Sequence, residues 1–341
     1  MARKYHRLNA AGLALALLLA AKSSSARAGE VDVMTFSGLC DASAAVSLEA
    51  GFFAVADDED NVLRIYHPQA GPMPVHSLDM SRFLRVDPRE PEADFEGAAR
   101  MGEKIFWITS HGRNTSGKVR SSRQRFFATT LSKTNGTVTL APFGQPYDRL
   151  LDDLCSDPRL RRFNLAAAAS KAPKTRGALN IEGLAATPDG KLWIGFRNPI
   201  PDGQALLVPL LNPAEIVSGG TAQLGDPVLL SLGGKGIRSI TEWRGQFLLV
   251  AGAFDGGGRS DLYLWDGKAA AAELQQRLDY GRLNPEALAE IPAVTESDLL
   301  IVSDDGNVIV GKKPCKKLKD PRQKRFRAAL VPSVSIGVAA R

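Results

Sequence analysis

Five positions spread along the chain have the residue types and spacing to gather ionisable groups at one place. They read Ser43, Glu96, Glu182, Arg238 and Glu286, each inside a short phrase of one kind. Asp94-Phe95-Glu96-Gly97-Ala98 aligns with Asn180-Ile181-Glu182-Gly183-Leu184, and Asn284-Pro285-Glu286-Ala287-Leu288 repeats the cadence. Three carboxylates brought into a small space repel one another unless a cation or hydrogen-bond donors compensate them. Arg238 supplies one positive charge. A hard cation such as Ca²⁺, which takes carboxylate and carbonyl oxygens, would supply the rest. The plainer reading is that each Glu accepts backbone N–H bonds from a neighbouring repeat and only locks the repeats together.

A second polar set follows the next apolar run of each repeat. It comprises Asp57-Asp58-Glu59-Asp60-Asn61, Ser110-His111-Gly112-Arg113-Asn114, Arg197-Asn198, Asp255 and Asp304-Asp305-Gly306-Asn307. Asp57 and Asp304 therefore join Glu96, Glu182 and Glu286 as candidate metal ligands. His111 is a candidate proton shuttle. Arg197 and Arg238 are candidates for steering an anionic group. The plain readings here are an acidic turn in solvent and an ordinary loop histidine. Asp57–Asp60 lacks the D-x-[DN]-x-[DN]-G spacing of a calcium loop, and the chain has no G-x-S-x-G elbow, P-loop, H-E-x-x-H or dinucleotide fingerprint.

These residues need elements that aim them at a common axis, and the repeat supplies the elements. With no gap, the 86-residue offset that aligns Asp94 with Asn180 also lays Lys104–Ile108 on Gly190–Ile194. Weaker copies run from Gly236 into Phe247–Val250 and from Asp41 into Phe52–Val55. Each copy reads as short strands separated by Asn, Gly and Asp turns, without intervening helices. Units of about 50 residues built this way are four-stranded propeller blades, since solenoid repeats are usually shorter. The expectation is an all-β chain, a β-propeller of five blades with a sixth left open. Tyr147–Lys171, rich in Leu and Ala, is expected to form a short helical insert around 147–171 that caps one face.

The chain ends speak to compartment. Arg3, Lys4 and Arg7 precede the apolar run Ala10–Ala21, and Ser25-Ala26-Arg27-Ala28 offers an A-x-A cleavage site. Residues 1–28 thus read as a secretory signal peptide cleaved after Ala28, which implies a periplasmic or secreted protein. An uncleaved N-terminal anchor is the other reading. Residues 29–311 read as the propeller domain, and 312–341 as a basic segment with a C-terminal closing strand. The leader holds five basic residues and no acid; the tail holds ten Lys or Arg against Asp320 alone. Subtracting those five charges and the tail's +9 from the overall +6 leaves −8 for residues 29–311. The basic pI therefore does not indicate nucleic-acid binding. The tail is either a solvated loop or a contact for anionic lipid or cell-wall polymer. Cys40, Cys155 and Cys315 allow one disulfide with one thiol left over, their pairing open.

The phrases Asp94–Gly97, Asn180–Ala185 and Phe53–Asn61 resemble the bacterial DUF3616 proteins, a family without an assigned activity. The repeated D/N-x-E-G-L phrase is more distantly similar to that of the esterase-like phytase propellers. That second resemblance implies a propeller fold and metal-assisted phosphoester hydrolysis. Ser43 and Arg238 depart from it by standing where the repeat has an acid. Two functions fit the residues. One is a metal-assisted hydrolase acting on a small anionic or ester substrate in the central funnel. The alternative is a non-catalytic ligand- or protein-binding propeller of the cell envelope. Either would act as a monomer on a small-molecule or envelope ligand, with no membrane span in the mature chain.

Overall fold

The computed structural model describes residues 31–275, 281–291, 298–333 and 336; the leader at 1–28 lies outside them. The chain is a five-bladed β-propeller. Strand β1 (Asp32–Ser37) is set aside for closure. Blade 1 is β2 (Ala42–Ser47), β3 (Phe53–Asp57), β4 (Val62–Tyr66) and β5 (His76–Asp79). Blade 2 is β6 (Phe95–Met101), β7 (Lys104–Thr109), β8 (Phe126–Thr134) and β9 (Thr137–Tyr147). Blade 3 is β10 (Asn180–Ala186), β11 (Leu192–Asn198), β12 (Ala205–Leu210) and β13 (Val228–Leu230). Blade 4 is β14 (Gly236–Trp243), β15 (Gln246–Gly252), β16 (Asp261–Trp265) and β17 (Glu273–Leu274). Blade 5 begins with β18 (Pro285–Ile291) and β19 (Asp298–Ser303). A small hairpin, β20 (Ile309–Val310) with β21 (Lys313–Pro314), interrupts that blade before β22 (Arg325–Val331).

Blade 5 is completed by the N-terminal strand. β1 pairs antiparallel with β22 from Asp32↔Leu330 to Ser37↔Arg325, so both chain ends share one sheet. This leaves no sixth blade among the described residues. An aromatic group seals the join, with Phe36 5.3 Å from both Phe53 and Phe326, and Tyr66 5.3 Å from Phe326. Cys40 and Cys315 form a disulfide across the same seam and leave Cys155 free. Such a bond is consistent with an exported protein.

Each blade's second strand is sandwiched between neighbouring blades, and this explains its composition. Phe53–Asp57 and Leu299–Ser303 are buried at every residue, and they read as continuous apolar runs rather than alternating ones. The segment after β9 is helical as expected, with Leu150–Ser156, a 3₁₀ turn over Pro158–Phe163 and Leu165–Ala168. Its buried Leu150, Leu154, Leu160 and Leu165 pack onto the core between blades 2 and 3. No described helix is long and apolar enough to cross a membrane.

Candidate functional site

The first strands of the five blades, β2, β6, β10, β14 and β18, pack side by side around the axis. In every blade the pairing of first and second strands skips a single residue of the first strand, and in blade 3 it also skips Arg197 of β11. The skipped first-strand residues are Ser43, Glu96, Glu182, Arg238 and Glu286. These are the five positions picked out by the sequence repeat, and a bulge is a device that turns one side chain out of its sheet's alternation. The small residue after it permits the approach. A Cβ on Gly97 would meet Leu184 Cβ at 2.9 Å, and one on Gly183 would meet Ile237 Cγ2 at 2.9 Å.

The result is a buried ionic ring. Carboxylate oxygens of Glu96, Glu182 and Glu286 all lie within 4.8 Å of one another. Two arginines offset two of these acids. Arg197 Nη1 donates to Glu182 Oε1 at 2.6 Å, and Asn180 Nδ2 donates to the same oxygen at 2.7 Å. Arg238 Nε donates to Glu286 Oε1 at 3.1 Å, its Nη2 pairs with Glu286 Oε2, and Nε lies 3.8 Å from Glu182 Oε2. Arg197 is held further by Ala253 O and Arg238 by Asn284 Oδ1, each at 3.0 Å. Glu96, only 8 % exposed, forms no ion pair among the described residues. Burial, then Glu182, Asp94 and Asp58, push its carboxyl well above the usual range, and Arg197 opposes them only in part.

This ring forms the floor of a funnel of about 260 Å³ lined by nine carboxyl side chains against five cations. Asp94 stands on its wall, paired with Arg123 at 2.8 Å, yet burial still lifts its carboxyl to about 6. A second acidic trio sits where blade 1 meets blade 5. Oxygens of Asp41, Asp57 and Asp58 lie within 4.8 Å of one another. Burial and then Asp304 raise Asp41 to about 7, and burial and then Asp60 raise Asp57 to about 6. Lys316 reaches this group, with Nζ 3.8 Å from Asp41 Oδ1 and 3.5 Å from Glu59 Oε1.

Of the residues singled out from sequence, Glu96, Glu182, Glu286, Arg197, Arg238 and Asp304 line the one funnel. Two stand apart. Asp57 is fully buried beside the funnel, accepting from Cys40 N at 3.2 Å and Glu59 N at 2.8 Å. His111 lines a different cavity of about 180 Å³ beneath the helical insert, with Leu151, Ala166 and Ala169. Its Nδ1 meets Thr109 O at 2.8 Å, its Nε2 has no partner, and burial lowers its pKa to about 4. Asp41, Asp94 and Lys316 were not singled out. A signal existed for the acids, because the position two before the bulge reads Asp41, Asp94, Asn180, Gly236 and Asn284. Lys316 gave none, being one basic residue in a basic run.

A family model described as a protein of unknown function, DUF3616, matches residues 123–305. No curated protein matches the chain. Solved structures similar to it include the Myxococcus xanthus glutaminyl cyclase, 12% identical with a TM-score of 0.45 over 89% of this chain and 96% of that one. The PQQ-bound aldose sugar dehydrogenase of Streptomyces coelicolor is 14% identical with a TM-score of 0.42, over 89% of this chain and all of that one. A catalytically inactive virginiamycin B lyase from Staphylococcus aureus, solved with quinupristin, is 8% identical with a TM-score of 0.39 over the same shares.

Proposed function

The chain belongs to the DUF3616 family, and from its funnel we propose a cation-assisted hydrolase acting on a small ester or anionic substrate. The observation that carries this reading is the charge imbalance on the floor: three buried carboxylates share two arginines, and Glu96 forms no ion pair among the described residues. A Ca²⁺–oxygen bond is about 2.3–2.6 Å long, so oxygens ligating one ion lie up to about 5 Å apart. The Glu96, Glu182 and Glu286 oxygens, within 4.8 Å of one another, meet that requirement. Glu182 Oε2 also lacks a hydrogen-bond partner although buried, as an oxygen kept for a ligand would.

Glu96, Glu182 and Glu286 would hold the cation, with Asp304 on the funnel wall nearby. Such an ion polarises a carbonyl or phosphoryl oxygen and lowers the pKa of water. Glu96 would accept a proton from the attacking water once its carboxyl is ionised. Arg197 and Arg238, fixed by Ala253 O and Asn284, would orient an anionic group. His111 takes no part, because it faces another cavity. The periplasmic or secreted setting read from the leader belongs to the same proposal. The binding-only reading has its own support, since the described lining holds neither His nor Cys and its only hydroxyl is Thr115.

Thermal unfolding of the mature chain in calcium and in chelator tests the site. A ligand of the folded state at a hundredfold excess over its Kd stabilises by about 2.7 kcal/mol. Wild type should gain more in calcium than Glu96→Gln; an equal gain in both sinks the ring as the site. Turnover of phosphoesters or lactones that needs calcium and Glu96 would support hydrolysis. Stabilisation without turnover leaves the binding propeller.

A further inference from the structure

The second acidic trio has features that the hydrolase reading does not use. Asp41, Asp57 and Asp58 come from the start of the first strand of blade 1 and the end of the second, and Asp41 also bridges to Asp304 of blade 5. Asp41 is 5 % exposed, and its carboxylate accepts no hydrogen bond among the described residues. Asp58 Oδ1 is also buried without a partner. A buried carboxylate normally finds donors, as Asp57 does in Cys40 N and Glu59 N, so the Asp41 carboxylate and Asp58 Oδ1 are arranged for something other than backbone capping. Among the described residues, the cation paired with Asp41 and Glu59 is the Lys316 ammonium, at 3.8 and 3.5 Å, both longer than a charge-assisted hydrogen bond.

Lys316 is anchored in this position by its own segment. The preceding Cys315 is tied by the disulfide to Cys40, the neighbour of Asp41. Cys315 N donates to Val308 O at 2.8 Å and Lys316 N to Gly306 O at 3.0 Å. Gly306 packs so closely on Asp41 that an added Cβ would lie 1.6 Å from Asp41 Oδ1. The ammonium is therefore a tethered monovalent charge beside a trio whose oxygen spacing suits one divalent ion.

We propose that Asp41, Asp57 and Asp58 form a second, rim-side site for a hard divalent cation, with Lys316 as its built-in competitor. The site shares no ligand with the Glu ring, although Asp41 and Asp58 line the same funnel, and it does not depend on hydrolysis. A divalent ion entering it displaces the Lys316 side chain toward solvent, where 27 % of that side chain is already exposed.

Calcium titration by calorimetry on the mature chain at pH 8 tests this. Removing the competing charge with Lys316→Met should tighten rim binding at least tenfold and add a resolvable second equivalent. Lys316→Gln, which keeps a polar group there, should behave the same way and guards against a packing defect in the Met variant. Asp58→Asn placed on Lys316→Met should remove the added equivalent. Glu96→Gln on the same background should remove only the ring equivalent, so loss of one site is read apart from loss of the other. Lys316 variants with wild-type stoichiometry and affinity, or an added equivalent that survives Asp58→Asn, would overturn the proposal.

Discussion

At the scale of single residues, the three ring glutamates are not equivalent, and their substitutions should differ in sign. Glu182 accepts from Arg197 at 2.6 Å and Asn180 at 2.7 Å. Neutralising it as Glu182→Gln leaves Arg197 a buried guanidinium without its counter-charge. Breaking a buried pair by removing one partner costs about 3–5 kcal/mol. Glu96 is the reverse case, a buried carboxyl pushed upward by desolvation and by Glu182. Glu96→Gln removes the repulsion and should stabilise the chelated protein by about 1 kcal/mol, within the range of substitutions that relieve a functional site. Urea unfolding in chelator checks both together. Loss of stability in both variants would mean that Glu96 has a compensating partner.

At the scale of elements, the five bulges turn a repeated sequence phrase into a ring, and the strands must approach closely for the ring to close. Gly236 shows how closely: a Cβ there would lie 2.0 Å from Arg197 O and 2.6 Å from Arg197 C, both backbone atoms. Gly236→Ala must therefore push β14 from the end of β11. Overpacking of this kind typically costs about 1–3 kcal/mol. It should also weaken calcium binding, since it displaces Arg197; thermal unfolding with and without calcium separates the two effects. Strands and ring positions were legible in sequence because an inner strand's phrase recurs once per blade. The pairing of Arg197 with Glu182, and of Arg238 with both Glu182 and Glu286, was not. Arg238 lies 48 residues from Glu286, and its partner is set by blade-to-blade approach, which no local pattern encodes. His111 fell in the rim register by sequence, yet the helical insert covers it and Thr109 O takes its Nδ1. The repeat fixes which end of a strand a residue occupies, whereas the insert decides whether that end stays open.

At the scale of the whole molecule, the buried acids make a joint prediction about pH. Asp41 is raised to about 7, Asp57 and Asp94 to about 6, and Asp58 and Glu96 upward, with burial the first cause in each. An unfolded chain ionises its Asp and Glu side chains near pH 4, so between about 4 and 7 the folded protein binds more protons than the unfolded one. Stability then falls as pH rises through that window and recovers on acidification. His111 works in the opposite sense. Unfolded, it takes its proton near 6.5, while in the fold burial delays this to about 4. One histidine opposes five acids, so the chelated protein should unfold at a higher temperature at pH 5.5 than at pH 8. Calcium should compress or invert this trend, because its carboxylate ligands must lose their protons to bind it. Thermal midpoints at half-unit steps from pH 8 to 5, in chelator and in calcium, measure both curves. Asp41→Asn should flatten the chelated curve most between pH 6.5 and 7.5, where Asp41, raised to about 7, takes up most of its proton and Asp57 and Asp94, raised to about 6, take up little. A chelated midpoint that falls steadily from pH 8 downward would mean that these acids already have counter-charges in solution, and with that the case for either cation site would go.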